Sequence, residues 1–258
     1  MNKKHYYDST IEAPPATMDT YYAEVSFRII LDKISKIGKN LDILDVGCGE
    51  GLLGSFLSKE NKVYGVDIHK EKIERCIAKG IKAQLIAADA GLPYEDSKFD
   101  VVTCCQALEH IMDPSETVSE IMRVLKPRGY FIAAVPNMYD LRTRFLYPFG
   151  VRTKITYGSN LGHIRFFSKK TFAELIEDEG FEICINISST FTRCVIKPIA
   201  LACYIISFVR NPFNLKELKL RKQKCFNSFD LFLTRIFGFT GFGSDLFVLA
   251  RKKICNSD

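Results

Sequence analysis

Along the chain, short apolar runs alternate with segments whose apolar residues recur every three or four positions. Val25, Ile29, Ile30 and Ile34 follow helical spacing and predict a helix from Thr20 to Ile37, stopped by Gly38. Asp42–Val46 then reads as a strand, 52–59 as a helix, Lys62–Asp67 as a strand and 69–79 as a helix. Residues 83–88 and Phe99–Cys105 give a third and a fourth strand. The next helix has a clear start: Asp113 supplies the N-cap acceptor, Pro114 sits at N1 and Glu116 at N3. Val118, Ile121, Met122 and Leu125 form its apolar stripe, and the Lys-Pro-Arg-Gly run at 126–129 is expected to end it. A fifth strand at 130–135 leads into a long irregular stretch, 136–167, too long for a mere connector. Ser168 caps a helix that buries Phe172, Leu175 and Ile176 and stops at Gly180; strands at 181–187 and 246–250 complete the pattern. Strands separated by helices predict a doubly wound α/β domain, its sheet mostly parallel and covered on both faces.

Composition changes this picture little. With 258 residues, 47% apolar and 26% charged, the chain is that of a folded protein rather than a disordered or collagen-like one. Nine cysteines, with no Cys-x-x-Cys pair, point to a reducing compartment rather than a disulfide scaffold or a structural zinc. The first eight residues precede no apolar run, so no secretory signal is expected and the reading is cytoplasmic.

Charge matters more. From Thr192 to Asp258 there are twelve Lys/Arg against four Asp/Glu, whereas the remainder is nearly neutral, so a basic segment is attached to a neutral domain. The expected division is a single domain over 1–258: an arm and helix (1–38), a ligand-binding core (39–191), a basic apolar helical insertion (192–243), and a last strand and tail (244–258).

In doubly wound sheets, ligands bind beyond the carboxyl ends of the strands. After strand one comes Asp45-Val46-Gly47-Cys48-Gly49-Glu50-Gly51, whose alternate glycines allow a sharp turn close to a ligand. Asp67 ends strand two, and Asp89-Ala90 follows strand three. Gly49 to Gly54 also fits the G-x-G-x-x-G dinucleotide pattern, with Asp67 early for its ribose acid. Asp45 ahead of the glycines and Asp89 after strand three weigh against that alternative.

With these residues in place, the stretch 43–137 resembles the class I S-adenosylmethionine-dependent methyltransferases, especially the small-molecule group containing the ubiquinone-type enzymes. The matching pieces are 44–51, Val66-Asp67, 88–94, 99–102, Ala107-Leu108-Glu109-His110-Ile111, 120–129 and Val135-Pro136-Asn137. The resemblance implies a seven-stranded Rossmann-like methyltransferase fold whose seventh strand is antiparallel beside strand five. It also implies S-adenosyl-L-methionine as cofactor. Asp45 would meet the methionine ammonium, and Gly47, Cys48, Gly49 and Gly51 would give it room. Asp67 would take the ribose hydroxyls, Ile68 would pack on adenine, and Asp89 and the Ala90 N–H would read its edge. Gln106, with Ala107, would lie near the sulfonium.

A sulfonium methyl is already activated, so the chain needs mainly to align an acceptor and, for a hydroxyl, to remove its proton. Glu109, His110 and His163 are the candidates for that work, and Arg165 could orient a carboxylate or phosphate or simply pair with an acid. Related quinone-group and small-RNA 2′-O-methyltransferases carry Glu-x-x-Glu-His here and bind a divalent ion. In this chain the first acid is replaced by Gln106, which weakens a hard-cation site, and no metal is expected.

The insertion has two compatible readings. Residues 195–209 are almost entirely apolar but contain Lys197-Pro198 and are too short to span a bilayer, and 210–224 carries six Lys/Arg and one Glu. Phe226, Phe229, Leu233, Ile236 and Phe237 then form a helical stripe. Such a segment fits a lid over the acceptor or a peripheral membrane contact through 195–240. Nucleic acid is not the expected partner, because the aromatics fall on helical stripes rather than among the basic residues. The expectation is methyl transfer to a small or lipid-like acceptor. The alternatives are metal-assisted RNA 2′-O-methylation and a catalytically silent cofactor-binding regulator; the sequence leaves the oligomeric state open.

Overall fold

A computed structural model describes residues 20–146, 148, 162–189 and 245–253. In chain order the elements are α1 (Thr20–Ile37), β1 (Asp42–Val46), α2 (Leu52–Leu57), β2 (Lys62–Asp67), α3 (Lys70–Ala78), β3 (Lys82–Leu85) and β4 (Phe99–Cys105). They continue with α4 (Pro114–Val124), β5 (Leu125–Pro136), α5 (Leu141–Leu146), α6 (Lys169–Asp178), β6 (Phe181–Ser189) and β7 (Asp245–Lys252). The seven strands form one sheet in the order β3-β2-β1-β4-β5-β7-β6. β7 runs antiparallel between β5 and β6, and the other pairings are parallel. The predicted class and the predicted direction of the last strand therefore hold. The sequence order reverses between β1 and β4, which makes the space beyond their carboxyl ends the switch point where such sheets bind ligands.

Alternation along the strands builds two cores. On one face Val102 and Cys104 of β4 and Phe131, Ala133 and Val135 of β5 meet Val118 and Ile121 of α4 and Phe172 and Ile176 of α6. On the other, Val101 and Ile132 meet Ile30 and Ile34 of α1, Leu53 of α2 and Ile73 of α3. Each such fully buried side chain stabilises the fold by about 1.5–3 kcal/mol. Cys104 and Cys105 point to opposite faces, as expected of core residues in a strand. The caps act as read: Asp113 accepts from the Glu116 amide, and Ser168 from that of Thr171.

Three departures from expectation exceed a residue or two at an element's end. β3 ends at Leu85 rather than at 88, because its partner β2 ends at Asp67; the Ile86 amide bonds the Asp67 carbonyl and Ala88–Ala90 then form a 3₁₀ turn. The run 126–129 does not separate α4 from β5. It bulges within β5, the register jumping from Phe99 opposite Leu125 to Val101 opposite Tyr130, with Arg128 at φ 64°. The irregular stretch contains α5, whose Thr143 amide is held by the buried Asp140 carboxylate at 2.7 Å. The arm at 1–19 and the insertion at 192–243 lie outside the described residues.

Candidate functional site

At the switch point β1 runs into the glycine loop. Gly47, Gly49 and Gly51 all have positive φ (74°, 52° and 71°). A Cβ on Gly47 would lie 2.5 Å from the Ala107 Cβ, so the loop passes directly against the end of β4. A Cβ on Gly49 would meet nothing within 4 Å, so this glycine borders open space, a cradle in which a ligand fits. The amides of Gly47 and Cys48 both donate to the Val66 carbonyl, at 2.8 and 3.0 Å, tying the loop to β2. The Cys48 side chain packs under the loop, its Sγ 3.8 Å from that of Cys76, and supports the cradle from beneath.

Asp45 is buried and accepts a 2.7 Å hydrogen bond from the Thr103 hydroxyl. Burial outweighs that bond and pushes its pKa up from 3.8 to about 7, with the Asp67 charge adding to the rise. Asp67 has the opposite balance. Burial raises its pKa, but the His69 imidazole, the His69 amide, Lys72 and the Gly49 amide together hold it below the usual value. The Gly49 amide donates to Oδ2 at 2.9 Å, and the His69 amide and Nδ1 both lie 2.9 Å from Oδ1. A carboxylate can only accept, so this Nδ1 carries the proton. His69 was read from sequence only as the start of a helix. Its position two residues after a strand-terminal Asp was the available signal.

Ile68 is half-buried beside Asp67. Asp89 is buried in the 3₁₀ turn and accepts from the Asp113 amide at 3.2 Å. The Ala90 amide, expected to meet an adenine, instead closes that turn on the Ala87 carbonyl at 3.0 Å. A 3₁₀ turn consumes the third residue's N–H, which the strand reading of 83–88 did not anticipate.

Beyond β4, Gln106 takes the left-handed region at φ 53°, its amide on the Ala134 carbonyl and its Nε2 3.5 Å from the Asp245 Oδ1. A non-glycine residue held there costs about 1–3 kcal/mol, and such strain clusters at functional sites. Glu109, His110 and His163 come together here. The imidazole Nε2 atoms of His110 and His163 lie 3.9 and 4.0 Å from Glu109 Oε1, and the two rings meet edge to face at 4.8 Å. Glu109 is 1% exposed, and among the described residues neither of its carboxyl oxygens has a hydrogen-bond partner. Burial raises its pKa from 4.5 to about 8, with Asp245 contributing. Its backbone carbonyl accepts the Ile164 and Arg165 amides at 2.9 and 3.1 Å, which anchors the distant His163 segment.

Burial lowers the pKa of His110 against the raising effect of the Gly162 carbonyl, 3.2 Å from Nδ1. That carbonyl fixes the proton on Nδ1 and makes Nε2 the basic nitrogen. The Arg165 guanidinium donates to the Met112 carbonyl. One ligand atom from each of Glu109, His110 and His163 falls within 4.8 Å of the others, a two-nitrogen, one-oxygen set able to take a cation.

The arrangement can hold a polar, partly cationic ligand over a glycine cradle and present a neutral imidazole beside it. A family model described as a methyltransferase domain matches residues 44–133. A probable S-adenosylmethionine-dependent methyltransferase of Mycolicibacterium smegmatis is 31% identical over 144 residues, 55% of this chain and 52% of that protein. A ubiquinone biosynthesis O-methyltransferase of Idiomarina loihiensis is 38% identical over 102 residues, 37% of this chain and 42% of that protein. The chain thus spans about half the length of these curated relatives or less. Among solved structures, a SAM-dependent methyltransferase of Thermotoga maritima shares the fold, with a TM-score of 0.58 at 18% identity over 89% of this chain and 92% of that one.

Proposed function

Since the chain belongs to the class I S-adenosylmethionine-dependent methyltransferase superfamily, we propose that it methylates a hydroxyl oxygen of a small or amphiphilic acceptor such as a lipid, quinol or glycan intermediate. The cofactor supplies an electrophilic methyl on a sulfonium. The chain's own residues do the rest. Gly47, Gly49 and Gly51 leave room for the methionine and ribose portions, Asp45 faces the ammonium, and the ionised Asp67 accepts from the ribose. Thr103 and His69 hold those two acids in place. His110 takes the acceptor's proton at Nε2, a role for which its lowered pKa and its Nδ1 contact with Gly162 prepare it. That neutral, oriented imidazole beyond β4 is the observation that carries the reading, and the quinone-pathway O-methyltransferase among the relatives supports oxygen as the target.

The test is release of S-adenosylhomocysteine in the presence of fractionated lipid and polar extracts. His110→Gln should lower kcat by about 10²–10⁴-fold while calorimetric affinity for S-adenosylhomocysteine stays unchanged. Loss of affinity with unchanged turnover per bound cofactor would overturn the assignment. No helix among the described residues is long and apolar enough to cross a membrane. The basic apolar segment 195–240, which lies outside the described residues, is proposed as a peripheral membrane contact on its composition alone.

A second reading follows from Glu109, His110 and His163 facing one another. Two imidazoles and one carboxylate suit zinc, iron or manganese better than oxygen-preferring magnesium. In this reading Glu109, His110 and His163 would hold the ion, which would supply Lewis-acid chemistry toward an acceptor hydroxyl, whether of a small molecule or of an RNA ribose. Activity abolished by chelation and restored by one of these ions would favour it over the proton-transfer reading.

A further inference from the structure

The glycine loop of the cradle rests on a pair of thiols. Cys48, between Gly47 and Gly49, and Cys76 of α3 are both free cysteines, with their Sγ atoms in contact at 3.8 Å. A Cβ on Gly65 of β2 would lie 2.7 Å from the Cys48 Sγ, and one on Gly51 would lie 2.7 Å from that of Cys76, so glycine at these two positions leaves room for the sulfurs. The same helix grips the loop at two further points: Arg75 pairs with the Glu50 carboxylate, and Lys79 Nζ donates to the Glu50 carbonyl at 2.6 Å. The two thiols are chemically unequal. The hydrogen bond with Cys48, helped by the Lys79 charge, holds the Cys76 pKa below the usual thiol value against burial, whereas the same bond and burial push Cys48 up. Cys76 therefore carries the thiolate, the form that reacts with oxidants. Open space over Gly49 gives a small oxidant a way to the loop that covers the pair.

We propose that Cys48 and Cys76 are a modification site, which a peroxide joins in a disulfide that loosens the cradle's hold on S-adenosylmethionine. The step balances with hydrogen peroxide. The Cys76 thiolate attacks one peroxide oxygen and the O–O bond breaks, giving a sulfenic acid and a hydroxide that takes the Cys48 proton. The Cys48 thiolate then attacks the Cys76 sulfur. An S–S bond forms, and the second hydroxide leaves and takes up the proton that Cys76 released on ionising. The two thiols lose two electrons, and the peroxide ends as two waters. A disulfide is about 2.0 Å long, so the sulfurs must close in from 3.8 Å. Ile73 and Cys76 fix α3 in the core, so the glycine loop is the part that yields. The residue next to Cys48 is Gly49, whose amide holds Asp67 at 2.9 Å. Drawing Cys48 toward α3 therefore disturbs the carboxylate assigned to the ribose.

Hydrogen peroxide added to the whole chain tests the idea. Peptide mapping by mass spectrometry should find Cys48 joined to Cys76 with the loss of two hydrogens, and dithiothreitol should separate them. Calorimetric affinity for S-adenosylhomocysteine should fall about 5–150-fold on oxidation, the usual range for coupled sites, and return with dithiothreitol. Coupling is reciprocal, so saturating S-adenosylhomocysteine should favour the reduced pair by the same factor in a glutathione redox buffer. Cys76→Ala should bind S-adenosylhomocysteine as the untreated wild type does and keep that affinity through peroxide, although the exposed Cys184 is still present to oxidise. Absence of the linked peptide, a linked peptide with unchanged affinity, or an equal loss of affinity in Cys76→Ala would overturn the inference. Should the variant fail to fold, the wild-type mapping and its reversal still decide. Reduced wild type that does not bind S-adenosylhomocysteine would refute the cradle assignment itself, a failure told apart by a linked peptide that still forms.

Discussion

Replacing Asp45 by asparagine should stabilise the protein at alkaline pH and weaken its hold on the cofactor. Burial raises the Asp45 pKa from 3.8 to about 7, so ionising this carboxyl works against the folded state. Its favourable contribution is full below pH 3.8, where folded and unfolded chains are both protonated there, and it is lost as pH rises through about 7. Across that window the loss amounts to about 4 kcal/mol, of which about 3 kcal/mol falls between pH 5 and pH 8.5. Asparagine retains an oxygen to accept the 2.7 Å bond from Thr103, so the substitution removes the titration and little else. Urea unfolding at the two pH values is the assay. The wild type should lose about 3 kcal/mol more stability than Asp45→Asn on going from pH 5 to 8.5, every other group titrating alike in both. Parallel pH dependence in the two proteins would refute the burial argument. Calorimetry completes the test: at pH 8.5 the variant should bind S-adenosylhomocysteine about tenfold or more weakly, because a charged partner for the ammonium has become neutral.

Gly47→Ala places a methyl 2.5 Å from the Ala107 Cβ on a backbone at φ 74°. The conformation alone costs about 1–2 kcal/mol, so a fall in melting temperature should accompany loss of S-adenosylhomocysteine binding. Asp67→Asn removes the charge that the Gly49 and His69 groups converge on. Affinity should drop by about 10–100-fold in calorimetry, and an unchanged value would remove Asp67 from the cofactor site. Deleting residues 195–240 should abolish flotation with anionic liposomes, and continued flotation would place any lipid contact elsewhere.

Much of the fold was legible because its signals are local. The caps at Asp113 and Ser168, the glycine stops and the alternation in β4 and β5 each act within a few residues. The errors fall where a distant partner decides. β3 ends where β2 stops offering carbonyls, and 126–129 becomes a bulge because β4 and β5 pair on both sides of it. The site divides the same way. Asp45, Asp67 and the glycines announce themselves by following strand ends. His69, by contrast, is defined by its hydrogen bond to Asp67, and Asp245 by a strand inserted between two others. Nothing near Arg165 in sequence foretells that it will bind the Met112 carbonyl 53 residues away.

The carboxyl groups of the cleft are sorted by their surroundings rather than by residue type. Asp67 is kept ionised by a histidine and two backbone amides, whereas burial pushes Glu109 up to about 8 against the lowering effect of its own backbone amide. Asp45 stands between them at about 7. At neutral pH Asp67 is therefore ionised at the β2 end, whereas beyond β4 Glu109 and His110 are both mostly neutral. That gradient suits a ligand cationic at one end and an acceptor whose proton must leave at the other. It also ties the two ends together. A proton taken by His110 creates a positive charge 3.9 Å from Glu109, which favours ionisation of that acid and stabilises the imidazolium as it forms. Glu109 thus assists the base most at the moment the acceptor oxygen gives up its proton, and Glu109→Gln should lower kcat more than it changes acceptor affinity. An equal effect on both would mean that the acid only binds the acceptor.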